Sequence, residues 1–159
     1  MLIILLVGLA GVIAMLGQTG SHPPSPAQRN QALLSLSTAA PDVHWDSRSL
    51  VAGDITCNGL IEQVYIGHTA DRIYVGLFRA ANKSPEILEF RLGGGYQDAV
   101  CDPMAAKLET YSLDHDQDHD LKGLRRSRTC KGLSLEDNSC DPINLYWNRT
   151  TQYLTWWRN

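Results

Sequence analysis

Along the middle and second half of the chain, apolar and polar positions exchange every second residue, which is the period of a strand with one buried face. Gln63 to Gly67, Arg72 to Phe78 and Ile87 to Leu92 carry this pattern and are predicted as strands, with Tyr74, Gly76 and Phe78 opposite Ile73, Val75 and Leu77. The His68 to Asp71 segment between the first two has hairpin length, Asn82 to Pro85 is a second turn, and Gly93 to Gly95 a third. Further strands are predicted at Lys107 to Leu113, Gly132 to Glu136, Ile143 to Trp147 and Tyr153 to Trp157, the last two joined by Asn148 to Gln152. Val43 to Leu50 shows no regular period. Ala27 to Ser37 suits a short helix, broken by Ala39-Ala40-Pro41-Asp42. No internal repeat is present. The pattern as a whole predicts a mainly β, β-rich α+β fold: a meandering antiparallel sheet of about six to eight strands with a hydrophobic helix at the N-terminus.

That helix is the run Met1 to Leu16, which carries no charge and has to leave water. Its length is short for a spanning helix but suits the apolar part of an export signal. Export signals normally open with Lys or Arg, whereas the first basic residue here is Arg29, so the start is misplaced or the segment stays as an uncleaved anchor. Gly20-Ser-His-Pro-Pro-Ser-Pro26 cannot continue a helix and reads as a tether, which weighs against the competing buried core helix. No cysteine closes the apolar run, so lipid attachment is unsupported. The expected organisation is residues 1–17 as signal peptide or membrane anchor, 18–41 as tether with a short helix, and 42–159 as a disulfide-supported β domain. The expected location is extracytoplasmic: bacterial periplasm, secreted, or held to the inner membrane.

Charge and cysteines narrow the picture. The net charge is −3, and the 14 basic residues are scattered apart from Arg125, Arg126 and Arg128, which argues against a nucleic-acid partner. Cys57, Cys101, Cys130 and Cys140 make an even set in a small exported domain and are read as two disulfides. Of the three possible pairings, Cys130 with Cys140 closes a short loop through Gly132 and Asn138 and is favoured, leaving Cys57 with Cys101. A zinc site is the competing reading, but no CxxC pair is present.

The richest local frame is Asp54-Ile-Thr-Cys-Asn-Gly-Leu-Ile-Glu62, with oxygen side chains at loop positions one, three, five and nine and a glycine at six, where the backbone turns sharply. From Asp54 to Gly67 it resembles the calcium-loop element of FG-GAP and VCBS-type repeats. That resemblance implies Asp54, Thr56, Asn58 and Glu62 as ligands, Gly59 at the turn and Gly67 at the end of the following strand. With one copy in 159 residues, a propeller built from several is excluded. Only Asp54 and Glu62 are carboxylates, so the expectation is either a weak, millimolar calcium site or a loop of the same shape held instead by a disulfide at Cys57. The ending, Cys140 to Asn148 followed by Leu154 to Arg158, is similar to the tails of small exported bacterial proteins that carry one such loop.

Other constellations are sparser. Asp114 to Asp120 holds His115 and His119, one helical turn apart, which suits a divalent transition metal; a solvated acidic loop offset by Arg125, Arg126 and Arg128 is the alternative. Tyr146, Trp147, Trp156 and Trp157 form an aromatic cluster at the final hairpin, either packing inward or offering an exposed ring to a glycan or protein. Adjacent Trp156 and Trp157 must point to opposite faces of a strand. No nucleophile elbow or paired acid and base is present; His44 beside Asp46 is the one histidine with a neighbouring carboxylate outside the acidic run. Asn82 and Asn148 begin glycosylation sequons, which matter only in a eukaryotic secretory host. The function expected from these features is an exported or membrane-anchored, non-enzymatic binding or structural module for an envelope protein or glycan. A weak divalent-metal protein is the alternative, and a small hydrolase a third.

Overall fold

In the computed structural model, residues 23–80, 83–114 and 121–158 are described. Met1 to Leu16, the sequon residue Asn82 and the pair His115 and His119 lie outside them.

The helix α1 spans Pro26–Ala39 and starts on a capping box: Ser25 Oγ accepts the Gln28 N–H, and Gln28 Oε1 accepts the Ser25 N–H at 2.8 Å. Pro26 at the first helical position loses no hydrogen bond there, so the helix begins a residue before the predicted Ala27. Ten strands follow among the described residues: β1 His44–Trp45, β2 Val51–Gly53, β3 Glu62–His68, β4 Arg72–Phe78, β5 Glu86–Leu92, β6 Ala99–Val100, β7 Lys107–Leu113, β8 Ser127–Glu136, β9 Ile143–Asn148 and β10 Tyr153–Trp157.

They form two sheets where one meandering sheet was predicted. The first runs β1-β3-β4-β5-β6, with β2 also on β3, and the second runs β10-β9-β8-β7. All pairs are antiparallel except β5 with β6. The sheets pack face to face. Val64, Ile66, Ile73, Val75, Leu77 and Phe90 of the first meet Leu108, Leu133, Leu135, Ile143, Leu145 and Leu154 of the second. Each fully buried Val, Leu or Ile contributes roughly 1.5–3 kcal/mol.

A third layer explains why β3 is buried on both faces. Ala32 and Leu36, one turn apart on α1, pack with Val43, Trp45, Tyr65 and Phe78 on the outer face of the first sheet. Gly67 and Gly76 make room for this layer. A Cβ on Gly67 would stand 2.4 Å from Val43 and 2.7 Å from Trp45, and one on Gly76 would stand 2.5 Å from Leu36 and 2.6 Å from Trp45. Gly67, expected to end its strand, is instead paired within it opposite Trp45.

Candidate functional site

The strands β2 and β3 pair up to Gly53 and Glu62, so Asp54 to Ile61 form the loop of a hairpin. Its centre is the Glu62 carboxylate, 1 % exposed. Oε2 accepts the backbone N–H groups of Ile55 at 2.8 Å and Thr56 at 3.1 Å, while Oε1 accepts the Thr56 hydroxyl at 2.6 Å and the Asn58 amide at 3.0 Å. Three of the four residues that the resemblance implied as ligands therefore converge, with Thr56 and Asn58 acting as donors toward Glu62. A cation would first have to displace those hydrogen bonds. Asp54 instead accepts the Asn58 N–H at 2.9 Å. Burial pushes the Glu62 carboxyl above the ordinary glutamate range and the charge of Asp54 adds to this, while the bonds from Thr56 and Ile55 pull the other way.

The loop is tied to both sheets. Ile55 is fully buried in the core between them, and the Asp54 carbonyl accepts the Lys131 N–H of β8 at 2.9 Å. Cys57, at φ 59°, and Gly59, at φ 82°, take the left-handed backbone of the turn. Cys57 is bonded to Cys130, and Cys101 to Cys140. This overturns the expected pairing. The strand β8 begins at Ser127, five residues before its predicted start at Gly132, so the chain from Cys130 runs extended for about 20 Å to Glu136 before it turns toward Cys140. With no free cysteine, the chain has the chemistry typical of an oxidising, extracytoplasmic compartment.

The second disulfide has its own carboxylate centre, which the sequence did not single out. Asp137 Oδ1 accepts the N–H groups of Ser139 at 2.9 Å and Cys140 at 2.8 Å, and Oδ2 accepts those of Cys101 and Asp102. Burial alone would raise its pKa, but these four backbone bonds outweigh it and hold the carboxyl below the ordinary aspartate range. An Asx turn is the only signal in Asp137-Asn-Ser-Cys140, and a turn does not reveal a partner 35 residues away.

Three clefts surround the Asp54–Glu62 loop. The largest, of about 660 Å³, has Pro23, Gly59, Ile61, Thr110 and Lys131 in its wall. One of about 240 Å³ shares Asp54 and Gly59 with it and adds Arg125, Arg126 and Arg149. A third, of about 210 Å³, opens past Thr56 and Asn58 toward Arg79, Lys83 and Trp147. Six basic side chains thus line clefts in which, among the described residues, Asp54 is the only carboxylate. Arg149 Nη2 donates to the Cys57 carbonyl at 3.4 Å, and the Arg79 guanidinium stacks 5.3 Å from the Trp147 ring centre.

Compared with family models, curated proteins and solved structures, the chain matches none.

The aromatic cluster is divided between faces. Trp147 is 4 % exposed and, with half-buried Trp156, belongs to the core between the sheets, where Trp156 meets Phe90 edge-on at 6.1 Å. Tyr146 is buried with its hydroxyl donating to the Lys122 carbonyl at 3.0 Å. Trp157 lies by the Tyr111 hydroxyl, whose pKa is pushed up to about 12, chiefly by burial. The His44 ring lies 5.5 Å from that of His68 at a tilt of 53°, and Asp46 instead caps the short 3-10 turn Ser47–Ser49 by accepting the Arg48 N–H.

Proposed function

We propose that the chain is an extracytoplasmic, non-enzymatic binding module whose ligand is anionic and sits on the face around the Asp54–Glu62 loop. One observation carries this reading: among the described residues, six basic side chains line the three clefts around the loop and Asp54 is the only carboxylate with them, in a chain whose net charge is −3. Clefts lined mainly by one sign of charge raise the local positive potential, where a multivalent anion gains most. The two disulfides agree with an oxidising compartment outside the cytoplasm. Titration calorimetry with inorganic polyphosphate tests it: binding should weaken as salt rises and weaken further in Arg125→Ser and Arg149→Ser. Binding that ignores both salt and these substitutions would place the ligand elsewhere.

A weak divalent-metal role is the second reading, supported by the convergence of Thr56, Asn58 and Glu62. It requires the Thr56 and Asn58 side chains to turn from donating to Glu62 toward presenting their oxygens to an ion.

A further inference from the structure

Resting on the anion-binding reading, we infer that the same face docks on an anionic lipid bilayer, with Leu60 and Ile61 at the loop tip entering the headgroup region. Three independent observations meet here. The tip is apolar and open to solvent: Leu60 is 53 % and Ile61 40 % exposed, and Ile61 directly precedes the buried Glu62. The clefts on either side of that tip present Lys131, Arg125, Arg126 and Arg149 in one direction and Arg79 and Lys83 in the other. An exposed apolar point inside a ring of cations is matched by an anionic bilayer surface, which offers phosphates around hydrocarbon, whereas a soluble polyanion leaves the two apolar side chains in water.

The third observation is where the chain leads. Pro23 lines the same cleft as Ile61 and Lys131. Only Gly17 to His22 separate it from the uncharged run Met1 to Leu16, and six fully extended residues reach about 20 Å. With that run in a bilayer, the loop face is held within reach of the lipid surface. The tip is also preorganised: Cys57–Cys130 and the four bonds to Glu62 fix the turn, and the Leu60 N–H donates to Asn58 Oδ1 at 2.7 Å, so docking orders little that is not already ordered.

The test uses the full chain on vesicles of phosphatidylcholine alone and of phosphatidylcholine with phosphatidylglycerol, reading amide hydrogen exchange from Asn58 to Glu62. Because the apolar N-terminus would bring the chain to both lipids, the readout is the loop and not attachment. Exchange at Leu60 and Ile61 should slow on the phosphatidylglycerol vesicles only. Arg125→Ser and Arg149→Ser should each weaken that protection by roughly fivefold, and Leu60→Ser with Ile61→Ser should abolish it. A parallel arm adds inorganic polyphosphate to the wild-type chain without lipid. Polyphosphate binding with equal loop exchange on both vesicle types would overturn the bilayer inference and leave the anion-binding reading intact. Equal loop exchange on both vesicle types together with no polyphosphate binding would overturn both.

Discussion

The Thr56 hydroxyl donates to Glu62 Oε1 at 2.6 Å, so a side chain in the position of a cation ligand serves as a donor to its neighbour in the same loop. The loop keeps the outline of a cation frame while its buried carboxylate is satisfied from within the protein. Glu62→Ala would leave two backbone N–H groups, a hydroxyl and an amide without their acceptor, at about 1–3 kcal/mol for each group that water cannot reach. The expected loss is at least about 3 kcal/mol, with a smaller loss in Glu62→Gln, which retains one acceptor oxygen. Urea denaturation of both variants measures this.

Calcium is expected to leave stability unchanged in the millimolar range, because binding must break the Thr56 and Asn58 bonds to Glu62 for a site with only two carboxylates. A thermal shift that grows with calcium and vanishes in Asp54→Asn would show that the loop reorganises around the ion.

The two carboxylate centres should respond to pH in opposite senses. Asp137 titrates below its unfolded value in the folded protein, so its contribution is present above the ordinary aspartate pKa of about 3.9 and is lost as pH falls through the lower folded value. Glu62 titrates above its unfolded value, so between the ordinary glutamate pKa of about 4.3 and the raised folded value the native state binds more protons, and stability falls as pH rises through that window. Relative to wild type, Asp137→Asn should flatten the acid limb of the stability profile. Glu62→Gln should remove the decline above it. Denaturation midpoints across the acid range read both.

Peptide mapping without reduction should recover Cys57 linked to Cys130 and Cys101 linked to Cys140. These bonds span sequence separations of 73 and 39 residues, and in the chain-entropy description each contributes about 4 kcal/mol. Replacing both members of either pair by Ala should lower stability by that order.

Gly76→Ala would drive a methyl group against Leu36 and Trp45, both held between α1 and the first sheet. A loss of about 1–3 kcal/mol is expected by thermal denaturation, with loosening of α1. Little change would mean that the helix layer yields more easily than its packing indicates.

Much of this architecture was legible in the sequence. The strands at Arg72–Phe78, Lys107–Leu113 and Tyr153–Trp157 have their predicted bounds, because clear alternation lies between turn residues. His44–Trp45, Val51–Gly53 and Ala99–Val100 are too short to display a period, and Val43 to Leu50 read as irregular for that reason. Alternation reports that a strand has a buried face and not which sheet covers it, so one sheet was expected where two face each other. At the loop, the resemblance grouped Asp54, Thr56, Asn58 and Glu62 as ligands, and the last three meet at the Glu62 carboxylate. It could not reveal the direction of their hydrogen bonds. The basic face was hidden because the Arg79 and Lys83 pair, Lys131 and Arg149 are remote from one another in sequence and come to the loop only through the fold.

The central claim, an anion-binding face around the Asp54–Glu62 loop, is tested most directly by a two-dimensional NMR titration of the full chain with inorganic polyphosphate. Saturable shifts are predicted at Gly59, Lys83, Arg125, Lys131 and Arg149, weakening as salt is raised. Shifts confined to other surfaces, or none at these residues, would contradict it.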